Sequence, residues 1–199
     1  EVVRKHDAIL VVDDAHATGV IGATGKGTPE HFGLPGDGKI YQTETMSKAL
    51  GGYGGFISGS RSVTGLIREK SATYQASTAL PPPIAAAGIA SLAIIRENPG
   101  LRKELLDKAW TIREALTAMD FRTTHFRTPI VPVLFDTAEK ANGLSQFLEE
   151  NGVIAPSVNY PARQQLFLVR IAVSAIHTED QISQLLSLLK QWKDKYESN

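Results

Sequence analysis

Ala8-Ile9-Leu10-Val11-Val12 is an unbroken apolar run that stops abruptly at Asp13-Asp14-Ala15-His16. A run without alternation predicts a strand buried on both faces, as in a parallel sheet. In open α/β sheets, ligands bind just beyond the carboxyl ends of the strands. Two acids and a histidine stand at that spot, and the spacing of Asp13 and His16 lets both reach one ligand from a tight turn. Taken alone, the segment reads more simply as a carboxylate-capped turn with an exposed histidine.

The second constraint is Thr45-Met46-Ser47-Lys48-Ala49-Leu50-Gly51-Gly52, followed by Tyr53-Gly54-Gly55. It sets a lysine among small residues, with hydroxyls before it and glycines after it. Such a lysine can come close to a flat, phosphorylated cofactor. Its amine can form a Schiff base with the carbonyl of pyridoxal 5'-phosphate (PLP), while hydroxyls and backbone N–H groups hold the phosphate. By itself the segment describes a solvated lysine at a glycine-rich turn equally well.

Together the segments are more specific. Val12-Asp13-Asp14-Ala15-His16-Ala17-Thr18-Gly19, followed by the Thr45–Gly52 stretch, resembles the α-oxoamine synthases. These are fold-type I PLP enzymes that condense an amino acid with an acyl-CoA. Ser77-Thr78-Ala79-Leu80-Pro81-Pro82 is similar to that family's Ser-Thr-Ser-Leu-Pro-Pro. Val169-Arg170-Ile171-Ala172-Val173-Ser174-Ala175-Ile176-His177-Thr178 is similar to its Leu-Arg-Ile-Ser-x-Ser-Ala-x-His-Thr. All four run in the family's order. The resemblance covers the C-terminal half of such an enzyme. It implies a chain that begins inside a domain, without the ring-stacking histidine, the first glycine-rich turn and much of the acyl-CoA surface.

The resemblance also implies a role for each residue. Lys48 holds the cofactor and moves protons. Asp13 keeps the pyridine nitrogen protonated, so that the ring can take electrons from a carbanion at the substrate's α carbon. Asp14 is structural. His16 corresponds to the histidine at the cofactor's phenolic oxygen, and Thr45 to the phosphate-binding threonine. Ser77 corresponds to a position that reaches the neighbouring subunit's phosphate, which implies a homodimer with shared active sites. Ala76 and Ala79 depart from the family's aromatic and serine, leaving open whether Ser77 or Thr78 is the ligand. Arg170 corresponds to the arginine that grips the amino-acid carboxylate with its planar fork; Arg163 is the second candidate. His177, before a helix cap, is structural, and His6, His31 and His125 are surface residues. The implied reaction joins glycine, alanine or serine to an acyl-CoA, giving an aminoketone with loss of CoA and usually of carbon dioxide. An aminotransferase or aldolase-like lyase of the same fold type would share Lys48 and Asp13 without the acyl-CoA. A non-catalytic partner subunit would have no need of Lys48, Asp13, His16 and Arg170 together.

Composition narrows the alternatives. The 199 residues are 42% hydrophobic and 21% charged, enough apolar mass for a core. Basic and acidic residues cancel at 21 each, which gives no reason to expect nucleic acid or an anionic membrane as partner. Without cysteine there is no disulfide, thiolate metal site or cysteine nucleophile, and no metal is expected. Residues 84–95 are apolar but too short to span a bilayer, and residues 1–7 have no signal-peptide character. A cytoplasmic protein is the expectation. Residues 18–27 are glycine-rich, yet the spacing of Gly19 and Gly25 is one residue too long for a phosphate loop. Lys26 is also followed by Gly27 where a Ser or Thr is required. A mobile surface loop is expected there, continuing through Pro35-Gly36-Asp37-Gly38.

The expected fold class is therefore α/β, a fold-type I PLP-dependent transferase. Residues 1–99 would be the C-terminal part of its large, mainly parallel-sheet domain, and residues 100–199 a small C-terminal α+β domain. In the first, 39–43 and 55–59 are strands on either side of Lys48. Residues 61–75 include a helix with Val63, Leu66 and Ile67 inward, and Pro81-Pro82-Pro83 sets up a helix from Ile84 to Glu97. In the second, Leu101, Leu105, Ala109, Ile112 and Leu116 recur at helical spacing. Residues 130–134 read as a strand that Pro132 confines to an edge or a bulge. Asp136 or Thr137 caps a helix carrying Ala141, Leu144 and Leu148, which stops near Asn151-Gly152. Residues 166–173 form a strand. A capping box at Thr178–Gln181 opens a last helix with Ile182, Leu185, Leu186, Leu189 and Trp192 on one face.

Overall fold

In the computed structural model, which describes residues 1–34, 38–159 and 166–196, a short helix α1 (Val2–Lys5) leads into β1 (Leu10–Asp13). After a loop and a short helix α2 (Thr28–His31) comes β2 (Ile40–Thr45), parallel to β1 in the register Val11↔Tyr41 and Asp13↔Thr43. A tight turn carrying Lys48 follows, and β3 (Gly55–Ser58) returns antiparallel along β2. Helices α3 (Arg61–Lys70), α4 (Ala72–Ala76) and α5 (Pro82–Glu97) complete the first of two units, Glu1–Arg102. Prolines occupy the first positions of α5, where a missing N–H costs nothing.

Three expectations for this unit need correction. The apolar run is not buried on both faces: Ile9 and Val11 are 63% and 61% exposed. Strand side chains alternate, and no element among the described residues covers the face that Ile9, Val11 and Asp13 share. In α3, Val63 and Ile67 are half-buried but Leu66 is exposed.

The glycine-rich segment is no solvated surface loop either, since residues 17–20, Gly25 and Gly27 are buried. Asp14, 1% exposed, is its hub. One carboxylate oxygen accepts from the Thr28 N–H and from Gln42 Nε2, each at 2.7 Å, and Gln42 also donates to the Lys26 carbonyl. The Thr18 hydroxyl donates to buried Glu44 at 2.9 Å. Partial burial pushes the Glu30 carboxyl up, but the Thr24 hydroxyl and the N–H groups of Lys26 and Thr24 outweigh it and hold the group below its ordinary range. The glycines serve this packing. Gly27 has φ +91°, and a Cβ there would sit 2.1 Å from Asp14 Oδ2. Gly27→Ala is therefore expected to destabilise the protein by at least ~1–3 kcal/mol, read as a lower denaturation midpoint with an unchanged slope.

The second unit, Lys103–Asn199, takes most of its first helix from α6 (Gly100–Ala118). It continues with β4 (Ile130–Phe135), α7 (Ala138–Glu150), β5 (Ser157–Asn159), β6 (Phe167–Ala172) and α8 (Glu179–Tyr196). Its sheet is antiparallel in the order β4-β6-β5. Pro132 thus lies in an edge strand, as a missing donor requires. Thr137 caps α7 by accepting from the Lys140 N–H. The capping box closes reciprocally, Thr178 N–H to Gln181 Oε1 at 2.9 Å and Gln181 N–H to Thr178 Oγ1 at 3.2 Å.

The main apolar core lies wholly in this unit. Ala109, Ile112 and Leu116 of α6 pack with Val131, Val133, Val169 and Ile171 of the sheet, Leu144 and Leu148 of α7, and Leu189 and Trp192 of α8. Leu101, at the head of the expected α6 stripe, is exposed, and Leu186 is only partly buried. Arg113 is buried among them at 2% exposure. Its guanidinium donates to the carbonyls of Thr124, Thr128 and Ile130 and to the Thr128 hydroxyl. Burial pulls its pKa down, and the carbonyl oxygens replace the water it has lost.

Candidate active site

Because β1 and β2 are parallel, their carboxyl ends lie side by side. Asp13 closes β1, and in register it shares a face with Thr43 and, two residues on, Thr45 at the end of β2. Asp13 is exposed. Its Oδ1 accepts from the Ala15 N–H at 3.1 Å, a local turn that leaves Oδ2 without a hydrogen-bond partner among the described residues. His16 is exposed on the same turn. The two acids differ in setting: Asp14 is buried under the loop, and Asp13 is open.

The turn after β2 is closed by its own backbone. The Met46 N–H donates to the Gly54 carbonyl at 2.9 Å, Gly52 to Met46 at 2.7 Å and Gly51 to Lys48 at 2.9 Å. The Thr45 hydroxyl lies 2.8 Å from that of Ser47, and Thr45 Oγ1 accepts from the Ser47 N–H. Positive φ at Gly51 and Gly54 lets the chain reverse twice within this stretch. Ser47, Lys48 and Ala49 are exposed, whereas Leu50 is 2% exposed. Among the described residues Lys48 has neither hydrogen bond nor ion pair. Strand ends and a turn therefore gather a carboxylate, two hydroxyls and an amine at one end of the sheet.

Ser77 ends α4, where its hydroxyl donates to the Thr73 carbonyl at 2.5 Å; Thr78 follows, also exposed. In the second unit, Arg170 sits mid-strand in β6, opposite Pro132. Its backbone N–H donates to the Pro156 carbonyl at 2.9 Å. Its side chain is half-buried, and Nε is buried without a partner among the described residues. Arg163 lies outside the described residues. His177 Nδ1 accepts from the Ser174 N–H at 3.1 Å, bracing the turn before α8. Gln42, which donates to both Asp14 and the Lys26 carbonyl, carries no motif signal.

Residues 1–189 match the family described as aminotransferase class I and II. Among curated proteins, 8-amino-7-oxononanoate synthase 1 of Bacillus velezensis is 36% identical over 189 residues, covering 94% of this chain and 48% of that protein. Among solved structures, a serine palmitoyltransferase with PLP superposes with a TM-score of 0.89 at 30% identity. It covers 97% of this chain, which spans 49% of its own. The 8-amino-7-oxononanoate synthase of Francisella tularensis gives a TM-score of 0.83 at 27% identity, over 96% of this chain and 56% of the other. The chain spans about half the length of the relatives it matches.

Proposed function

The chain belongs to the aminotransferase class I and II family, and from that premise we propose that it serves α-oxoamine synthesis. An amino acid (glycine, alanine or serine) and an acyl-CoA would give an aminoketone, with release of CoA and usually of carbon dioxide. The observation that carries this reading is the convergence of Asp13 and the Thr45–Lys48 turn at one end of two parallel strands. Likeness to two synthases of this class supports it.

The residues present suit PLP. Among the described residues Asp13 keeps one oxygen unpartnered for a ring N–H and the Lys48 amine has no partner, and Thr45 brings a hydroxyl beside the backbone donors of its turn. When bound, PLP supplies an electron sink for the substrate's α carbon. Lys48 holds the cofactor through its amine and carries a proton to and from that carbon. Asp13 fixes the charge of the pyridine nitrogen, and His16 addresses the phenolic oxygen. Thr45 donates to the phosphate, joined by Ser77 or Thr78 from the neighbouring subunit of a homodimer. Arg170 takes the amino-acid carboxylate, and its Nε, without a partner among the described residues, is the kind of buried donor that a ligand satisfies. The domain reading stands beside this, with residues 1–99 on the cofactor side and 100–199 forming the small domain. No helix among the described residues is long and apolar enough to cross a membrane, and a cytoplasmic location goes with the proposal.

Two measurements test it. Borohydride reduction with PLP, followed by peptide mapping, is expected to leave the pyridoxyl group on Lys48; label on Lys39 or Lys70 would displace that assignment. Release of free CoA is then followed with glycine, alanine and serine against short and long acyl-CoAs. Amino-acid consumption that never depends on acyl-CoA would turn the reading towards another fold-type I reaction.

A further inference from the structure

The exposed segment that carries Lys48 is short, and both of its flanks are fixed to one face of α5. Ile84, Gly88, Ser91 and Ile95 recur at helical spacing along that face and are its less exposed residues. On the near side of the lysine, Met46 lies against Gly88. A Cβ on Gly88 would meet Met46 Sδ at 2.9 Å, so an alanine there would push the Met46 side chain, and the start of the turn, off this seat. On the far side, the Ser91 hydroxyl donates to the Leu50 carbonyl at 2.7 Å, bridging elements far apart in sequence. The Leu50 side chain is itself buried. Ile95 continues the face onto the loop, lying 3.0 Å from where a Gly19 Cβ would stand.

We propose that Ser91 and Gly88 are positioning residues for Lys48: α5 holds the turn at Met46 and at Leu50, and so fixes where the amine is presented. The proposal rests on the reading of Lys48 as the cofactor lysine. Neither residue touches the reacting atoms in this role. Each acts through the turn, because residues 47–49 are otherwise exposed and the turn's own backbone bonds run within residues 46–54.

Ser91→Ala tests this without weakening α5, since alanine is the better helix former. Three quantities are followed in the full chain: amide exchange at Gly51 and Gly52, PLP affinity, and the rate of borohydride-trapped pyridoxyl labelling at Lys48. Loss of one hydrogen bond to a buried carbonyl predicts about tenfold faster exchange at Gly51 and Gly52, and about tenfold weaker PLP binding. Exchange at Asp14, whose N–H is bonded to Thr43 in the sheet, should not change. Ser91→Thr keeps the hydroxyl and should restore both values. Gly88→Ala should slow labelling of Lys48 while leaving the denaturation midpoint close to that of the parent. Unchanged exchange at Gly51 and Gly52, or faster exchange there with unchanged PLP affinity, overturns the inference alone. Label on another lysine in the parent protein overturns the cofactor reading and this role with it.

Discussion

Asp13→Asn should slow exchange of the amino acid's α proton with solvent by ~10²–10³-fold while leaving the fold intact, the usual cost of losing one preorganised electrostatic stabiliser. The geometry explains why the fold should survive. Asp13 is exposed, and its only hydrogen bond among the described residues is the local one from the Ala15 N–H, which an amide oxygen can still accept. The substitution removes the charge that would favour a protonated pyridine nitrogen. Asp14→Asn is the control with the opposite signature. That carboxylate is buried and accepts from both Thr28 and Gln42, so its loss should appear first as lowered stability. Proton exchange followed by NMR, beside denaturation curves for both variants, separates the two. If Asp14→Asn stopped exchange at full stability and Asp13→Asn did neither, the roles would be reversed.

Arg170→Ala should weaken amino-acid binding by about a hundredfold, because truncating one partner of a buried, charge-assisted pair costs roughly 2–5 kcal/mol. PLP loading should persist, since Asp13, Thr45 and Lys48 are untouched. The strand should persist too: its backbone bond to Pro156 and its pairing with Pro132 do not involve the side chain. Arg170→Lys should recover only part of the affinity, because an ammonium keeps the charge but not the planar fork. The check is the midpoint of the cofactor's absorbance change as amino acid is added. An unchanged midpoint in Arg170→Ala would move the carboxylate contact elsewhere, with Arg163 as the next residue to replace.

The parts of this architecture legible in the sequence are those set by neighbours along the chain. The Thr178–Gln181 box and the Thr137 cap are hydrogen bonds spanning three residues. The α7 and α8 stripes follow from helical period, and the edge position of β4 follows from the donor that Pro132 lacks. What depended on distant partners was not legible. The period of residues 8–12 could not reveal that one face of β1 would lie open. The glycines of 19–27 read as slack, because their purpose is a fit against Asp14, Ala49 and Ile95. β5 is only three residues long and is defined by pairing with β6, not by its own composition. At the candidate site, the chemistry-bearing residues were named by motif, whereas Ser91 and Gly88 emerged only once α5 lay beside the Lys48 turn.

The uneven distribution of buried apolar surface has a calorimetric consequence. In the second unit, a continuous cluster from Ala109 to Trp192 is sealed from water. In the first, the buried hydrophobic residues among those described are Ala17, Val20 and Leu50, and polar contacts around Asp14, Glu44 and Glu30 hold much of the remainder. Exposing apolar surface raises the heat capacity of unfolding, and exposing polar surface lowers it. The second unit therefore carries most of the curvature in the protein's stability with temperature. Cooling weakens it, as its hydrophobic driving force fades, while the first unit, with its flatter dependence, responds far less to the same change.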